Sequence, residues 1–143
     1  MKISVFGAGS WGCALAHQMA RRGHEVLLWA LEPEVAAGIN ADHRNPIFLT
    51  DAELHPAIRC TNDLNEAAAY AAVWIWVVPV QFSAAVMDQL AGVLRSNVVM
   101  VSASKGLEVE TLRRMDQIAW EVLNIPASRF CCLSGPTFAR EVI

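Results

Sequence analysis

The sequence predicts an α/β fold with a doubly wound, mostly parallel sheet. Strand-like and helix-like segments alternate along the 143 residues, a spacing typical of βαβ crossovers. The strand-like segments are apolar throughout, as in a sheet that helices cover on both faces. The chain is 55% hydrophobic and 17% charged, which suits such a buried sheet. Residues 1–143 are long enough to form one domain with its own core.

The predicted strands are short apolar runs that turn residues interrupt. Pro79 and Pro126 break the continuity of the pattern, because proline lacks the N–H that a regular element needs. An additional short extended piece is predicted near Ile58–Cys60. The main strands are predicted at Lys2–Phe6, Glu25–Trp29, Val73–Val78, Val98–Ser102 and Phe130–Ser134.

The predicted helices fill the intervals between these strands. Gly23 follows the first of them and is expected to close it. The segment Asn40–Pro56 is predicted to be irregular, since it is longer than an ordinary connection. The helices are predicted at Ser10–Arg22, Glu34–Asn40, Leu64–Tyr70, Ser83–Leu94 and Glu110–Leu123, and a further one begins at Ala139.

Charge, hydropathy and cysteine usage exclude several classes of function. The net charge of −3 gives no electrostatic basis for binding nucleic acid. No apolar run reaches the roughly 18 residues of a membrane span, and the N-terminus lacks the pattern of a signal peptide. No metal site is predicted, because neither the histidines nor the cysteines have metal-ligand spacing. We therefore expect a cytoplasmic location and reduced, buried thiols at Cys13, Cys60, Cys131 and Cys132.

The most informative motif is Gly7-x-Gly9-x-x-Gly12, which follows an apolar strand and opens a helix. That context is typical of a loop that binds the phosphates of a dinucleotide. Gly7 permits a tight turn, Gly9 lets a pyrophosphate approach the backbone, and Gly12 lets the helix pack closely on the strand. The N–H groups at the helix start would hold the phosphates. The alternative is a glycine-rich turn that binds nothing.

The turn after the second strand bears on the choice of dinucleotide. Glu32 is the acidic candidate for a hydrogen bond with the adenosine ribose. Its neighbour is Leu31, and the turn has no Arg or Lys for a 2′-phosphate. This composition slightly favours NAD over NADP. The alternative, in which Glu32 only faces solvent before Pro33, stays open.

Three further loops follow predicted strands, where ligands of a parallel α/β sheet bind. Pro79 ends one strand and is equally suited to touch a cofactor or simply to stop the strand. Lys105, in Ser104-Lys-Gly106, is suited to hold a phosphate or a polarised carbonyl; a solvated surface lysine is the alternative. Gly135 and Thr137 precede the last helix and offer a backbone N–H and a hydroxyl, or merely a helix cap.

These motifs together resemble those of the NAD(P)-dependent glycerol-3-phosphate dehydrogenases, the bacterial form in particular. The resemblance covers the whole chain in the correct order. The Ser-Lys-Gly and Ser-Gly-Pro-Thr-Phe-Ala motifs are its most specific parts. Two departures are Cys13, where the family usually has Thr, and Val80, where it usually has Ser. The matching segments are Gly7-Ala-Gly-Ser-Trp-Gly-x-Ala-Leu-Ala, Asn45-Pro-x-Phe-Leu, Val78-Pro-x-Gln81, Ser104-Lys-Gly-Leu-Glu and Leu133-Ser-Gly-Pro-Thr-Phe-Ala-x-Glu-Val142.

The resemblance implies a Rossmann-type domain of an oxidoreductase that interconverts dihydroxyacetone phosphate and sn-glycerol 3-phosphate with NAD(P)H, feeding phospholipid synthesis. Bacterial members often carry a basic residue at the position of Leu31, which favours NADPH. The implied cofactor-binding residues are Gly7, Gly9, Ser10, Trp11, Gly12, Leu31, Glu32, Pro79, Lys105 and Ala139. The implied substrate-binding residues are Lys105, Gly135 and Thr137.

The resemblance also implies a second, helical domain that residues 1–143 do not contain. In the family that domain supplies the proton-transfer lysine, so no catalytic residue is expected in this chain. We expect an N-terminal part that binds dinucleotide and turns over little or no substrate alone. A homodimer of the full-length protein is compatible with this interpretation, and apolar surface near Phe138–Ile143 is expected to favour self-association.

Three other interpretations stay open at this stage. The first is a regulatory module that binds nicotinamide nucleotides without catalysis. The second is a related dehydrogenase of hydroxy acids or sugar phosphates, against which the Ser-Lys-Gly and Ser-Gly-Pro-Thr-Phe-Ala motifs argue. A doubly wound domain with a vestigial site is a third, more general alternative. Binding of a nicotinamide dinucleotide would exclude the vestigial site.

Overall fold

The computed structural model describes residues 1–94, 96–135 and 138–143. The strands in these ranges are β1 Lys2–Phe6, β2 Glu25–Trp29, β3 Arg44–Asn45, β4 Leu49–Glu53, β5 Arg59–Thr61, β6 Val73–Trp76, β7 Val99–Ser102 and β8 Phe130–Cys132. The helices are α1 Ser10–Arg21, α2 Pro33–Asp42, α3 Leu64–Tyr70, α4 Val80–Asp88, α5 Met115–Leu123 and α6 Ala139–Val142. A 3₁₀ turn covers Ala127–Arg129.

Six strands form one parallel sheet in the order β5-β2-β1-β6-β7-β8. The chain first winds outward from β1 to β5 and then returns to the other side of β1 with β6. Ligands of such sheets bind where the winding direction changes, at the carboxyl ends of the strands. The prediction of a doubly wound parallel sheet is confirmed, and the change of direction lies between β1 and β6.

Alternate residues of β1 serve two hydrophobic cores on opposite faces of the sheet. Ile3 and Val5 belong to the core beneath α1 and α2. Phe6 belongs to the core beneath α3, α4 and α5, in accordance with the two-residue period of a strand. The sheet is therefore covered by helices on both faces, which explains why its strands read as continuous apolar runs.

Aromatic residues fill the second core. The ring of Phe6 lies 4.8 Å from that of Trp74 and 5.0 Å from that of Trp76, measured between centroids. Both indole N–H groups are satisfied despite complete burial: Trp74 donates to the Ala71 carbonyl and Trp76 to the Ser83 hydroxyl, each at 2.9 Å. Hydrogen bonds of this kind let large polar-tipped rings occupy a core without a desolvation cost.

The predicted helix Glu110–Leu123 starts too early, because the structure has α5 beginning at Met115. Leu112 has a left-handed backbone with φ 58°, which no helix interior tolerates. Two charged side chains close this turn, Arg113 pairing with Glu108 at 2.8 Å. The Gln117 side chain then accepts from the Arg114 N–H at the start of α5.

The predicted helix Ser83–Leu94 was displaced towards the C-terminus. The observed α4 begins directly after Pro79, whose extended backbone precedes the first turn. It ends at Asp88, beyond which the N–H groups of Leu90 and Ala91 bond to carbonyls three residues back. The predicted strands Val73–Val78 and Phe130–Ser134 are each two residues too long at the carboxyl end.

The segment Asn40–Pro56 is more ordered than predicted. It contains the end of α2 and the antiparallel pair β3–β4. His43, with φ 54°, ends α2 in a left-handed conformation and turns the chain into β3. The N–H of Leu54 bonds to the His43 carbonyl at 2.7 Å, which closes the hairpin.

The prediction of four buried thiols is wrong for two of them. Cys13 and Cys60 are buried, whereas Cys131 and Cys132 are exposed. Cys60 is buried although β5 is also an outer strand, because α2 and α3 pack against β5, whereas β8 lies mainly against β7. None of the helices in the described ranges has the length and apolar character of a membrane span.

Candidate functional site

The site is built on the glycine loop between β1 and α1. Gly7 has φ +106°, a conformation that other residues rarely adopt, and its N–H bonds to the Trp29 carbonyl at 3.0 Å. A Cβ added at Gly12 would lie 1.8 Å from the Gly7 carbonyl oxygen. The close approach of α1 to the end of β1 therefore requires glycine at position 12, as predicted.

The amino end of α1 is prepared for an anion. Gly9 is the N-cap and contributes no side-chain hydrogen bond, and the first turn carries no acidic residue. The first N–H groups of a helix lack intrahelical acceptors, and the helix dipole makes this end positive. A Cβ at Gly9 would meet nothing within 4 Å. Open space in front of unpaired N–H groups is what a phosphate needs.

A cavity of about 250 Å³ lies beside the glycine loop, over the ends of β1, β2 and β6. Its wall is mainly apolar, and the side chain of Glu32 is the one carboxylate in it. Apolar walls with a few polar groups are typical of sites for flat organic rings. The lining residues are Gly7, Ala8, Gly9, Trp29, Leu31, Glu32, Phe48, Val78, Pro79, Phe82 and Val86.

Leu31 and Glu32 lie at the rim of this cavity. Leu31 is 70% exposed, and Glu32 is partly buried immediately before α2. The structure thus brings the two residues named for cofactor choice to the same wall. This placement does not test whether the two residues select NAD over NADP, and that role stays a prediction.

Sequence reasoning missed two aromatic residues of the same cavity. Phe48 comes from the hairpin segment and Phe82 from the first turn of α4, and both line the cavity. They are 44% and 64% exposed, unusual values for phenylalanine side chains. Phe48 falls in the Asn45-Pro-x-Phe-Leu motif, so the signal was present as a matching segment without an assigned role.

A second cavity, of about 370 Å³, lies on the other side of Pro79. Its lining includes predicted site residues from both ends of the chain. Pro79 lines both cavities. Trp11 projects here with an indole Nε1 that is buried and has no hydrogen-bond partner among the described residues. The lining residues are Ser10, Trp11, Val77, Pro79, Ala103, Ser104, Lys105, Phe138 and Ala139.

Lys105 stands between the second cavity and a third. The third cavity, of about 600 Å³, extends along the ends of β7 and β8 and includes Gly135. The loop is held in place by the Ser104 hydroxyl, which donates to the Val78 carbonyl at 2.6 Å. Lys105 itself is exposed. The predicted substrate residue Thr137 lies outside the described residues.

The thiols of Cys13 and Cys60, near the site, are unreactive at neutral pH. Burial raises the pKa of Cys13 to about 11, against a smaller opposing effect of the hydrogen bond from Asn45. Burial also raises the pKa of Cys60 to about 12, with a contribution from Cys13. Neither thiol is a nucleophile at neutral pH. The described residues contain no group of three His, Cys, Asp or Glu side chains arranged for a metal ion.

The arrangement suits an elongated ligand with a ring at each end and phosphates between. The amino end of α1 lies between the two ring-sized cavities, since Gly9 lines the first and Ser10 the second. Gly9 leaves the space in front of the N–H groups open. The residues present therefore fit a nicotinamide–adenine dinucleotide.

Comparison with known proteins agrees with this geometry. The profile of the family described as NAD-dependent glycerol-3-phosphate dehydrogenase N-terminus matches residues 2–143. A glycerol-3-phosphate dehydrogenase [NAD(P)+] of Geobacter metallireducens is 49% identical over 142 residues, which are 99% of this chain and 42% of that protein. The namesake from Nitratidesulfovibrio vulgaris strain DP4 is 46% identical over 143 residues, or 100% of this chain and 43% of that protein.

Solved structures give the same result. The crystal structure of glycerol-3-phosphate dehydrogenase from Coxiella burnetii superposes with a TM-score of 0.89 at 27% identity, over 99% of this chain and 42% of that one. This chain thus spans about two fifths of the length of the curated relatives that it matches. The match of the family profile over residues 2–143 shows that the chain belongs to the NAD-dependent glycerol-3-phosphate dehydrogenase family, of which it carries the N-terminal region.

Proposed function

We propose that residues 1–143 form one dinucleotide-binding domain of an oxidoreductase that interconverts dihydroxyacetone phosphate and sn-glycerol 3-phosphate. The observation that carries the proposal is the open amino end of α1, which Gly9 leaves unobstructed between two cavities that share Pro79. Family membership supports the substrate. The domain acts in the cytoplasm as part of a longer protein, and the full-length protein forms a homodimer.

The adenosine end occupies the cavity beside Glu32. The carboxylate of Glu32 accepts hydrogen bonds from the ribose hydroxyls and repels the 2′-phosphate of NADP. Leu31 offers an apolar contact where a cation would be needed for NADP. These two residues make NAD the slightly favoured cofactor.

The nicotinamide end occupies the cavity beside Trp11, with Ser10 and Ala139 as further contacts. The bound nicotinamide supplies or accepts the hydride. Trp11 lines this cavity, and its indole N–H is buried without a partner among the described residues. Desolvated donors of this kind gain a hydrogen bond when a polar group arrives, so Trp11 orients the ring that the cavity encloses.

Lys105 bridges the cofactor and the substrate. Lys105 lines both the second and the third cavity, and its ammonium group holds the substrate's phosphate or its polarised carbonyl. Gly135 and Thr137, which follow β8 in the sequence, bind the same substrate. No residue of this chain is proposed as the proton donor, so the chain binds dinucleotide and reduces little or no dihydroxyacetone phosphate by itself.

A titration of the chain with NADH and NADPH tests the proposal, with energy transfer from tryptophan to the reduced nicotinamide as signal. The matched variants are Gly9→Ala and Gly92→Ala, because an added Cβ meets nothing within 4 Å at either position. Gly9→Ala is expected to weaken NADH binding at least about tenfold, since its methyl group excludes phosphate. Gly92→Ala is expected to bind normally.

The outcomes separate the parts of the proposal. Binding of neither nucleotide by the unchanged chain contradicts the dinucleotide site. Tighter binding of NADPH than of NADH contradicts the role of Leu31 and Glu32 but leaves the site intact. Rapid oxidation of NADH on addition of dihydroxyacetone phosphate shows that a proton donor lies within residues 1–143. Unchanged affinity in Gly9→Ala removes the helix end from the site.

A further inference from the structure

Asn45 is an amide side chain without solvent exposure, in a region where most neighbours are apolar. It is 0% exposed and belongs to the two-residue strand β3. A buried amide must satisfy its donors and acceptors within the protein, because leaving them unpaired is costly. The hydrogen-bond partners of Asn45 therefore show which segments its side chain connects.

The donor side of Asn45 reaches the glycine loop. Its Nδ2 donates to the Ala8 carbonyl oxygen at 2.7 Å and to the Cys13 sulfur at 3.2 Å. Ala8 lies between the first two glycines of the motif, and Cys13 lies in the first turns of α1. The amide thus holds the turn from which the phosphate-binding N–H groups project.

The acceptor side of Asn45 shapes its own loop. The Oδ1 atom accepts from the Ile47 N–H at 3.0 Å and from the Phe48 N–H at 2.9 Å. These bonds turn the chain around Pro46 and place Phe48 in the wall of the first cavity. A single side chain, 37 positions from Ala8 in the sequence, therefore links the glycine loop to an aromatic wall residue.

The packing around this turn leaves it little freedom. A Cβ added at Gly38 would come within 2.9 Å of Pro46 Cδ and 3.1 Å of the Arg44 carbonyl oxygen, so α2 touches the turn directly. If the amide of Asn45 were replaced by a carboxylate, an oxygen would face the Ala8 carbonyl and repel it. The side chain at position 45 would still accept from the Ile47 and Phe48 N–H groups. Its hydrogen bond to the Ala8 carbonyl on the glycine loop would be lost.

We infer that Asn45 is a positioning residue of the dinucleotide site, which acts by locking Phe48 to the glycine loop. This inference rests on the proposed function, because it assumes that a dinucleotide occupies the cavity. It assigns Phe48 to the contact with the bound ring and Asn45 to the geometry of that contact. Asn45 is 0% exposed and acts through its protein contacts, without touching the ligand.

A double-mutant cycle with Asn45→Asp and Phe48→Ala tests this coupling in NADH titrations of the chain. Each single variant is expected to weaken NADH binding about tenfold, and the double variant no more than about twofold beyond the weaker single variant. The expected result follows because Asn45 acts through Phe48. If Asn45 acted on the glycine loop independently of Phe48, the two losses would multiply to about a hundredfold, which would overturn the inference. Asn62→Asp is the charge-matched control, since Asn62 is exposed.

A measurement on the unchanged chain covers the case in which Asn45→Asp does not fold. Hydrogen exchange of the Ile47 and Phe48 amides is expected to be slow and to slow further with saturating NADH. Equal exchange with and without bound NADH would overturn the positioning role. If the unchanged chain binds no NADH at all, the proposed function and this inference fail together; if it binds NADH and Asn45→Asp binds equally well, only the inference fails.

Discussion

The two ends of the sheet differ in how completely the described residues enclose them. Around β2 and β5, helices and the β3–β4 hairpin cover the strands, and the thiols of Cys13 and Cys60 are buried. At the other end of the sheet, β8 lies mainly against β7, and Cys131 and Cys132 are exposed. The nucleotide end of the proposed site belongs to the enclosed part, and the substrate end belongs to the open part.

This difference teaches which part of the site the chain forms by itself. The first cavity has walls from the glycine loop, the turn after β2, the hairpin and α4. The third cavity is lined by β8, by the loops after β7 and β8 and by the start of α5, and Leu133 and Phe138 nearby are 46% and 68% exposed. Rigid binding of the dinucleotide is therefore expected, and weak binding of the substrate.

The largest effect is expected from Gly12→Ala, which breaks the enclosed part directly. The added methyl group would overlap the Gly7 carbonyl oxygen at 1.8 Å, and neither backbone segment can yield without displacing α1. We expect a loss of about 2–3 kcal/mol in the free energy of unfolding and no measurable NADH binding. Urea unfolding followed by tryptophan fluorescence provides the measurement.

Gly92→Ala is the control for this substitution. Position 92 is exposed and an added Cβ meets nothing within 4 Å, so the free energy of unfolding is expected to change by less than about 0.5 kcal/mol. Equal stability of the two variants would show that α1 does not pack on β1 as closely as described.

The second effect concerns the reactivity of the four thiols. Alkylation with iodoacetamide at pH 8, followed by peptide mass spectrometry, is expected to modify Cys131 and Cys132 at least about a hundredfold faster than Cys13 and Cys60. The buried thiols require local opening and have raised pKa values of about 11 and about 12. Fast labelling of Cys13 would contradict the enclosure of the nucleotide end.

The same pKa shifts predict a loss of stability at alkaline pH. In the unfolded chain a thiol ionises near its ordinary pKa of about 9, whereas burial raises the pKa of Cys60 to about 12. Between these values the unfolded state binds fewer protons than the folded state, so the free energy of unfolding falls as the pH rises. Each buried thiol contributes a loss of about 1 kcal/mol per pH unit above pH 9.

Melting temperatures between pH 7 and pH 10.5 check this dependence. Cys60→Ala is expected to flatten the alkaline decline by about half, because Cys13 contributes the remainder with the same sign. Cys132→Ala, at an exposed position, is expected to retain the full decline. A decline that is identical in all three proteins would assign it to other groups.

Much of the sheet could be predicted because its strands are buried on both faces. Lys2–Phe6 and Glu25–Trp29 were predicted with the bounds that the structure has, since their apolar runs end abruptly at turns. The β3–β4 pair could not, because β3 has two residues and most of β4 is solvated. No apolar periodicity survives in such a short, half-exposed hairpin.

The candidate site was predictable where it depends on local sequence. The loops after parallel strands meet at one edge, and so Glu32, Pro79 and Lys105 could be assigned to one region. Phe48 could not be assigned to the site from sequence, because its position depends on the hydrogen bond from Asn45 to Ala8, 37 positions away. The start of α5 was likewise hidden, since Leu112 owes its left-handed backbone to a turn that the Arg113–Glu108 pair closes.

The smallest effect is expected from Lys105→Ala, which alters the open part alone. Lys105 is exposed, and no ion pair joins it to another residue in the described ranges, so its removal is expected to leave the melting temperature within about 1 °C. NADH affinity is expected to fall by no more than about threefold, because the amino end of α1 holds the phosphates.

Competition by sn-glycerol 3-phosphate gives Lys105→Ala its specific readout. Any effect of this anion on NADH binding is expected to disappear in Lys105→Ala and to persist in Lys105→Arg, which keeps the positive charge. A loss of NADH affinity greater than tenfold in Lys105→Ala would mean that the open end of the sheet shares in holding the dinucleotide. The contrast between an enclosed nucleotide end and an open substrate end would then fail, because one cation would serve both.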